Sequence, residues 1–275
     1  MRRKNAWTTY NKKQLDELEK LCKNYLKFLD KGKTERECVK QIVKQAEEKG
    51  YVNLADITKD KKALKAGDKV YSVCMDKTVA LFQIGKKKLE KGMNILGAHI
   101  DSPRMDVKQN PLYESEEFAY LDTHYYGGIK KYQWVTLPLA LHGVVVKKDG
   151  TVITVNVGED KNDPVFCVTD LLIHLAGEQM EKKANKVIEG ENLDVLVGSK
   201  PLEGKEKDAV KEGILEILKE KYDMTEETSC LQRSRLFQPD MHGRQVWITV
   251  WLCLMDRMTV SAHIHLWQRC WKWRK

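Results

Sequence analysis

Apolar residues recur at helical spacing in the first part of the chain. Thr34 and Glu37 have the spacing of a capping box, which predicts a helix from there to about Glu48, ended by Gly50. Before it, residues 11–29 predict another helix, because one stripe with a period of 3.6 carries Leu15, Leu18, Leu21, Cys22, Tyr25, Leu26 and Leu29. The chain is therefore expected to begin with two amphipathic helices.

Apolar runs of strand length follow these helices. Residues 70–74, 79–84 and 93–98 each have the length and composition of a strand, and the third is expected to be buried. It leads directly into the sequence ILGAHIDSPRMD at 95–106. Because helices that cover such strands are typical of an α/β layer, we assign residues 1–106 to an α/β domain.

From about Val107 the pattern becomes β-rich. Residues 118–126 predict a strand, and 140–158 predict a hairpin with Asp149-Gly150 at its turn. Two helices are also expected, one over 206–222 and one that starts near 169–170 and carries Leu171, Leu172, His174, Leu175 and Met180. The predicted fold class is therefore α/β, with a β-rich insertion at 107–227.

Residues 228–275 differ abruptly in composition from the rest. They contain five of the seven tryptophans, no glutamate and a net charge of +6, whereas the other residues carry +2. A basic, Trp-rich and Arg-rich tail can bind single-stranded nucleic acid or a membrane surface. A shifted reading frame explains this change of composition more simply. Read in the shifted frame, the codons of residues 236–260 can encode LPAGHAR…LDHGL…YGQDDR. We expect a single-base loss near Glu227–Thr228, an aberrant, truncated tail and no nucleic-acid partner.

The sequence predicts a cytoplasmic protein with no membrane partner. The start MRRKNAWTTYNKKQL lacks the apolar region of a signal peptide. The longest apolar stretch, Val246 to Met255, is shorter than the roughly 20 residues that span a bilayer. Seven cysteines, an odd number without CxxC spacing, favour a reduced compartment over a disulfide framework.

His99 and Asp101 stand at the end of the third predicted strand. The carboxyl ends of strands line the crevice of an α/β sheet, and a neutral imidazole there can bind zinc. An Asp two residues later can orient the ring through its other nitrogen. The spacing alone also fits a polar turn that closes a strand, so it leaves both interpretations open.

Four separate motifs favour the metal interpretation. They are GAHIDSPRMDVK at 97–108, YGG at 126–128, WVTLPLALHGVVV at 134–146 and DLLIHLAGEQ at 170–179. In this order they resemble the aspartyl aminopeptidase family, the eighteenth metallopeptidase family, over about residues 5–227. The resemblance implies a zinc-exopeptidase-like α/β catalytic domain interrupted by a β-rich dimerisation domain. It also implies two metal ions per site, usually Zn²⁺ with Co²⁺ or Mn²⁺ as alternatives, and large homo-oligomers, often dodecamers.

The resemblance gives roles to three residues. His99 corresponds to a metal ligand, and Asp101 to the catalytic Asp that supports it. His174 corresponds to a histidine that the family assigns either as a metal ligand or as a residue reaching a neighbouring subunit's substrate site. The alternative for His174 is a core histidine on the apolar face of a helix. We interpret His124 and His142, which lie in predicted strands, as structural.

The implied activity is metal-assisted hydrolysis that removes N-terminal acidic residues from peptides, with a Glu as general base. The family's bridging carboxylate follows a PAGxAR segment, and both occur here only in the shifted frame. We therefore expect a family member with little or no activity of its own. Two alternatives remain, a non-catalytic oligomerisation or scaffold subunit and a nucleic-acid-binding module that uses the basic tail.

Overall fold

The computed structural model describes residues 5–147, 149–225 and 233–237, the last of these by its backbone. The chain divides into two compact units, whose border in the described sequence falls between Ser102 and Pro103. The predicted tail at 228–275 lies outside the described residues, apart from 233–237.

The two predicted helices of the first unit are confirmed. Helix α1 spans Lys12–Lys31, and helix α2 spans Glu35–Glu47. Each begins with a capping box, in which the side chain of Asn11 or Thr34 accepts a hydrogen bond from the backbone N–H three residues later. Their facing apolar side chains form a buried cluster of Tyr25, Phe28, Leu29 and Cys38.

A small sheet follows these helices. Strand β1 (Val52–Asn53) leads into helix α3 (Leu54–Lys59), and strands β2 (Lys69–Cys74) and β3 (Thr78–Gln83) form an antiparallel pair. Strand β1 pairs in parallel with β2, so the strand order is β1-β2-β3. The strands predicted at 70–74 and 79–84 are confirmed.

The prediction of a buried strand at 93–98 is wrong. Residues 92–103, all within the described part, contain no helix or strand. Residues 93–98 are all exposed. A strand needs neighbours that satisfy its backbone groups and cover its side chains, and no strand in the described residues pairs with this run.

The second unit is built on an antiparallel sheet. The strands are β4 (Arg104–Ser115), β5 (Phe118–Tyr126), β6 (Ala140–Val146), β7 (Val152–Val157), β8 (Cys167–Val168), β9 (Val195–Gly198) and β10 (Arg233–Phe237). Their order in the sheet is β7-β6-β10-β4-β5-β9-β8, so β10 pairs with both β6 and β4.

The strand predicted at 118–126 and the hairpin predicted at 140–158 are confirmed. Strands β6 and β7 pair from Leu141 with Val157 to Val146 with Val152. The backbone N–H of Gly150 donates to the carbonyl of Lys147, which closes the turn.

The core of the second unit lies against the sheet. A buried cluster contains Met105, Trp134, Val135, Leu139, Val168, Ile188, Leu193 and Val195. Helix α5 (Ala209–Tyr222) confirms the helix predicted over 206–222. Glu114 of β4 accepts hydrogen bonds from the backbone N–H groups of Val210 and Lys211, and so caps α5 from the sheet.

The helix predicted from 169–170 is shorter than expected. Only α4 (Gly177–Met180) is helical, and residues 173–175 form a turn. The apolar side chains of Leu171, Leu172, Ile173 and Leu175 are exposed, so the stripe that predicted the helix packs against no core. An amphipathic helix in a protein is stable mainly because another surface buries its apolar face.

The predicted α/β fold class is confirmed, since helices accompany a sheet in each unit. Within the described residues, no helix has both the length and the apolar character that crossing a membrane requires.

Candidate functional site

The candidate site is the His99–Asp101 pair, which the structure brings into contact. His99 Nδ1 lies 2.7 Å from Asp101 Oδ1. Ile100, between them, packs against the helical cluster that contains Tyr25 and Phe28. The residue between the pair therefore anchors this segment to the two helices. The side chains of His99 and Asp101 stay accessible, with exposed fractions of 51% and 32%.

The contact determines which ring nitrogen can serve as a ligand. An ionised carboxylate only accepts hydrogen bonds, so Nδ1–H of His99 donates to Asp101 and carries the ring proton. Nε2 then has the lone pair that a metal needs. A carboxylate on the other ring nitrogen also fixes the orientation of the ring. The pair is therefore arranged as an imidazole ligand with its support.

One imidazole is not a complete zinc site. Protein zinc centres use three or four side-chain ligands. Among the described residues, no group of three or more His, Cys, Asp or Glu side chains is placed to hold a metal ion. The donor set found here therefore does not fit a zinc centre by itself.

The rest of the SPRMD segment has a structural role that its sequence did not reveal. Arg104 lies with its guanidinium carbon 3.9 Å from the ring centre of Tyr126, and its Nε donates to Asp106 Oδ1 at 2.7 Å. Gly127 has φ +82°, and a Cβ there would lie 3.5 Å from Pro103 Cα. The motifs SPRMD and YGG thus contact each other, an interaction that spacing along the chain could not have predicted.

His174 lies in the second unit, in an exposed turn. The alternative interpretation of His174 as a core histidine on a helix is therefore wrong, because the side chain is neither buried nor helical. The structure brings His99 and Asp101 together, and it places His174 in the unit that does not contain them.

The two remaining predicted histidines lie in strands, as expected. His142 in β6 is buried, and its Nε2 lies 2.9 Å from Glu159 Oε1. His124 in β5 is exposed, and its ring stacks on that of Tyr125 with the ring centres 5.4 Å apart. Neither contact resembles a metal site.

Comparison with known proteins identifies the family. The model of the family described as "Aminopeptidase I zinc metalloprotease (M18)" matches residues 28–237. The chain belongs to the M18 family. Its matched range starts within α1, contains both His99 and His174, and continues through β10.

Individual M18 proteins resemble the chain over most of its length. A probable M18 family aminopeptidase 1 from Clostridium acetobutylicum is 60% identical over 225 residues, which are 82% of this chain and 48% of that protein. The M18 aminopeptidase structure from Thermotoga maritima has a TM-score of 0.79 and 42% identity, covering 89% of this chain and 53% of that one.

A second solved structure gives the same result. Aminopeptidase I from Clostridium acetobutylicum has a TM-score of 0.77 and 55% identity, covering 87% of this chain and 53% of that one. This M18 chain therefore spans about half the length of the relatives it matches.

Proposed function

We propose that this chain carries part of the active centre of a zinc aminopeptidase, with His99 as a metal ligand and Asp101 as the catalytic residue that orients it. The contact of 2.7 Å between His99 Nδ1 and Asp101 Oδ1 carries this proposal. The family's description as zinc metalloproteases supports Zn²⁺. Imidazole ligands also accept Co²⁺ or Mn²⁺, although Mn²⁺ prefers oxygen ligands.

The proposed reaction is the hydrolytic release of N-terminal Asp or Glu from peptides. The four motifs of the chain support it, together with the aminopeptidase names of its relatives. Because the described residues do not supply a three-ligand group, we expect the purified chain to be inactive by itself. An assay with aspartyl and glutamyl arylamides tests this, and measurable hydrolysis would contradict it.

Because the described residues offer no three-ligand group, zinc binding at His99 in the purified chain should be weak, and His99→Ala should abolish this weak binding, as measured by isothermal titration. Asp101→Asn should weaken it about tenfold, because the ring loses the carboxylate that fixes its tautomer. His124→Ala is the matched control, since His124 is also exposed and near a carboxylate, Glu191 at 3.8 Å. Equal zinc binding in the His99 and His124 variants would refute the proposed ligand.

Two roles are open to His174 within this proposal. It would bind metal, or it would reach the substrate site of a neighbouring subunit. Its exposed position in a turn supports the second role, because a residue that acts on another subunit must be accessible. In an active assembly, a His174→Ala effect on KM without loss of zinc would favour the substrate role.

We also propose that the chain forms a homo-oligomer through its β-rich segment, 107–227, a dimerisation domain that follows the partial catalytic domain 1–106 in the sequence. The exposed apolar run from Leu171 to Leu175 supports this, because isolated soluble proteins rarely expose such a run. A more distant yeast structure with this fold, at 18% identity, is titled a dodecamer. The same exposed apolar run would also allow assembly if the chain were a scaffold subunit without catalytic activity.

The substitution Leu172→Asp should lower the oligomer mass of the chain measured by light scattering, because it puts a charge into the apolar run. Leu89→Asp is the matched control, since Leu89 is equally exposed but lies in the first unit. If both variants keep the mass of the original chain, or if that chain is a monomer, this interface is excluded.

We also propose a cytoplasmic location, because the seven cysteines, an odd number without CxxC spacing, favour a compartment in which thiols stay reduced.

A further inference from the structure

A pair of carboxyl groups lies where the hairpin of β4 and β5 meets the start of β9. Asp122 belongs to β5, and Asp194 directly precedes β9. The two carboxyl groups lie within hydrogen-bonding reach of each other. Ionised carboxylates only accept hydrogen bonds, so a hydrogen bond between the two requires a proton on one of them. The pair therefore has two states, one with a shared proton and one in which both groups are charged and repel each other.

Asp194 is the member of the pair that is suited to bind the proton. Its Oδ1 is buried and receives no hydrogen bond from the described residues. Its Oδ2 accepts a hydrogen bond from the Tyr113 hydroxyl at 2.7 Å. A charged carboxylate with a buried, unpaired oxygen is costly, whereas a protonated carboxyl has an O–H that can donate. Burial raises the pKa of Asp194 above its ordinary range, and the charge of Asp122 adds to this, although the Tyr113 hydrogen bond opposes it.

The charged groups around the pair favour a proton on Asp194 rather than on Asp122. Lys108 of β4 places its ammonium 2.8 Å from Asp122 Oδ1 and 3.1 Å from Glu191 Oε2, and so balances the charge of Asp122. Asp194 makes no ion pair with any described residue. His124 of β5 faces Glu191 at 3.8 Å. The positive charge at this site is therefore held by Asp122 and Glu191, and Asp194 is left without it.

The segment that carries Asp194 is anchored in the core. Leu193 and Val195, on either side of it, are fully buried, and the Thr123 hydroxyl donates to the Leu193 carbonyl at 2.6 Å. Repulsion within the pair thus acts where residues 190–195 join the hairpin. We propose that the Asp122–Asp194 pair is a pH-sensitive switch, which holds this segment against β5 in mild acid and loosens it as the pH rises. The proposal is independent of the metal role of His99.

The direction of the pH dependence follows from the proton affinity of Asp194. Because the raised pKa means that the folded state binds this proton more tightly, the stabilisation is fully present below the ordinary Asp pKa of about 3.9. It is lost as the pH rises through the raised pKa of the folded state. Burial and the hydrogen bond to Asp194 raise the pKa of Tyr113, so its hydroxyl remains a donor throughout.

Asp194→Asn tests the switch, because Asn cannot ionise and its amide N–H can donate to Asp122 as the shared proton does. The thermal midpoint of the full-chain variant should exceed that of the original by about 2 °C or more near about pH 8, and the difference should shrink towards about pH 4.5. Tyr113→Phe should move the loss of stability to higher pH, since it removes a hydrogen bond to the ionised form. Asp160→Asn, at an exposed aspartate of the same unit, is the matched control and should leave the pH dependence unchanged.

Hydrogen exchange tests whether the effect lies at the proposed segment. Protection of the amides at 190–198, corrected for intrinsic exchange rates, should fall as the pH rises in the original chain and stay constant in Asp194→Asn. A stability difference between the two that is the same at every pH would overturn the proposal, and so would a loss of protection spread evenly over the second unit. If the Asn variant does not fold, a Tyr113→Phe profile identical to that of the original would overturn it equally.

Discussion

Met105→Ala is expected to lower the free energy of unfolding by about 3 kcal/mol. The Met105 side chain is fully buried, with an exposed fraction of 0%, in the cluster that contains Trp134, Leu139 and Leu193. Truncation removes its apolar contacts and leaves a cavity on the sheet, which cannot collapse because β4 is fixed by pairing on both sides. Urea unfolding followed by circular dichroism measures the loss.

Met180→Ala is the matched control for this prediction. Met180 is in the same unit, but 65% of it is exposed, so its truncation should change stability by less than about 0.5 kcal/mol. Equal losses in the two variants would mean that Met105 does not belong to the core.

Residues of one motif have two different roles. In ILGAHIDSPRMD, His99 and Asp101 are accessible and face each other, whereas Arg104 and Met105 are buried. The first pair is suited to chemistry and the second to packing. A motif that resembles a family's pattern therefore does not assign a catalytic role to each of its residues.

Sequence signals that span only a few residues were sufficient to predict much of the fold. The capping box at Thr34 and Glu37 and the Asp149-Gly150 turn each act over a few residues, and both are found as predicted. The strand at 118–126 was also correct in its bounds. In these elements the backbone geometry depends on side chains close in sequence, so no long-range information was needed.

The predictions that failed concern elements whose stability depends on residues distant in sequence. The apolar runs at 93–98 and 171–175 have the composition of a buried strand and a buried helix, yet both are exposed. Periodicity reports which face would be buried, and it does not report whether a covering surface is present. Similarly, the spacing of His99 and Asp101 was compatible with their contact but also with a polar turn, and further ligands would have to come from other parts of a fold.

Gly158→Ala is expected to cost about 3 kcal/mol of unfolding free energy, from backbone strain and a close contact together. Gly158 follows β7 with φ +106°, a region that alanine rarely adopts. A Cβ there would lie 3.0 Å from Ala140 Cα and 3.2 Å from the Leu139 carbonyl oxygen. Both neighbours are backbone atoms in the buried part of the sheet, so they cannot move aside as a side chain would.

Gly150→Ala separates these two causes. Gly150 also has a positive φ, +86°, but a Cβ there would meet nothing within 4 Å. Its substitution should therefore cost only the backbone strain, about 1 kcal/mol. Urea midpoints of the two variants measure the difference, which is the energy of the close approach between Gly158 and β6. If Gly150→Ala were as costly as Gly158→Ala, strain alone would explain both, and the tight packing at the end of the hairpin would contribute nothing.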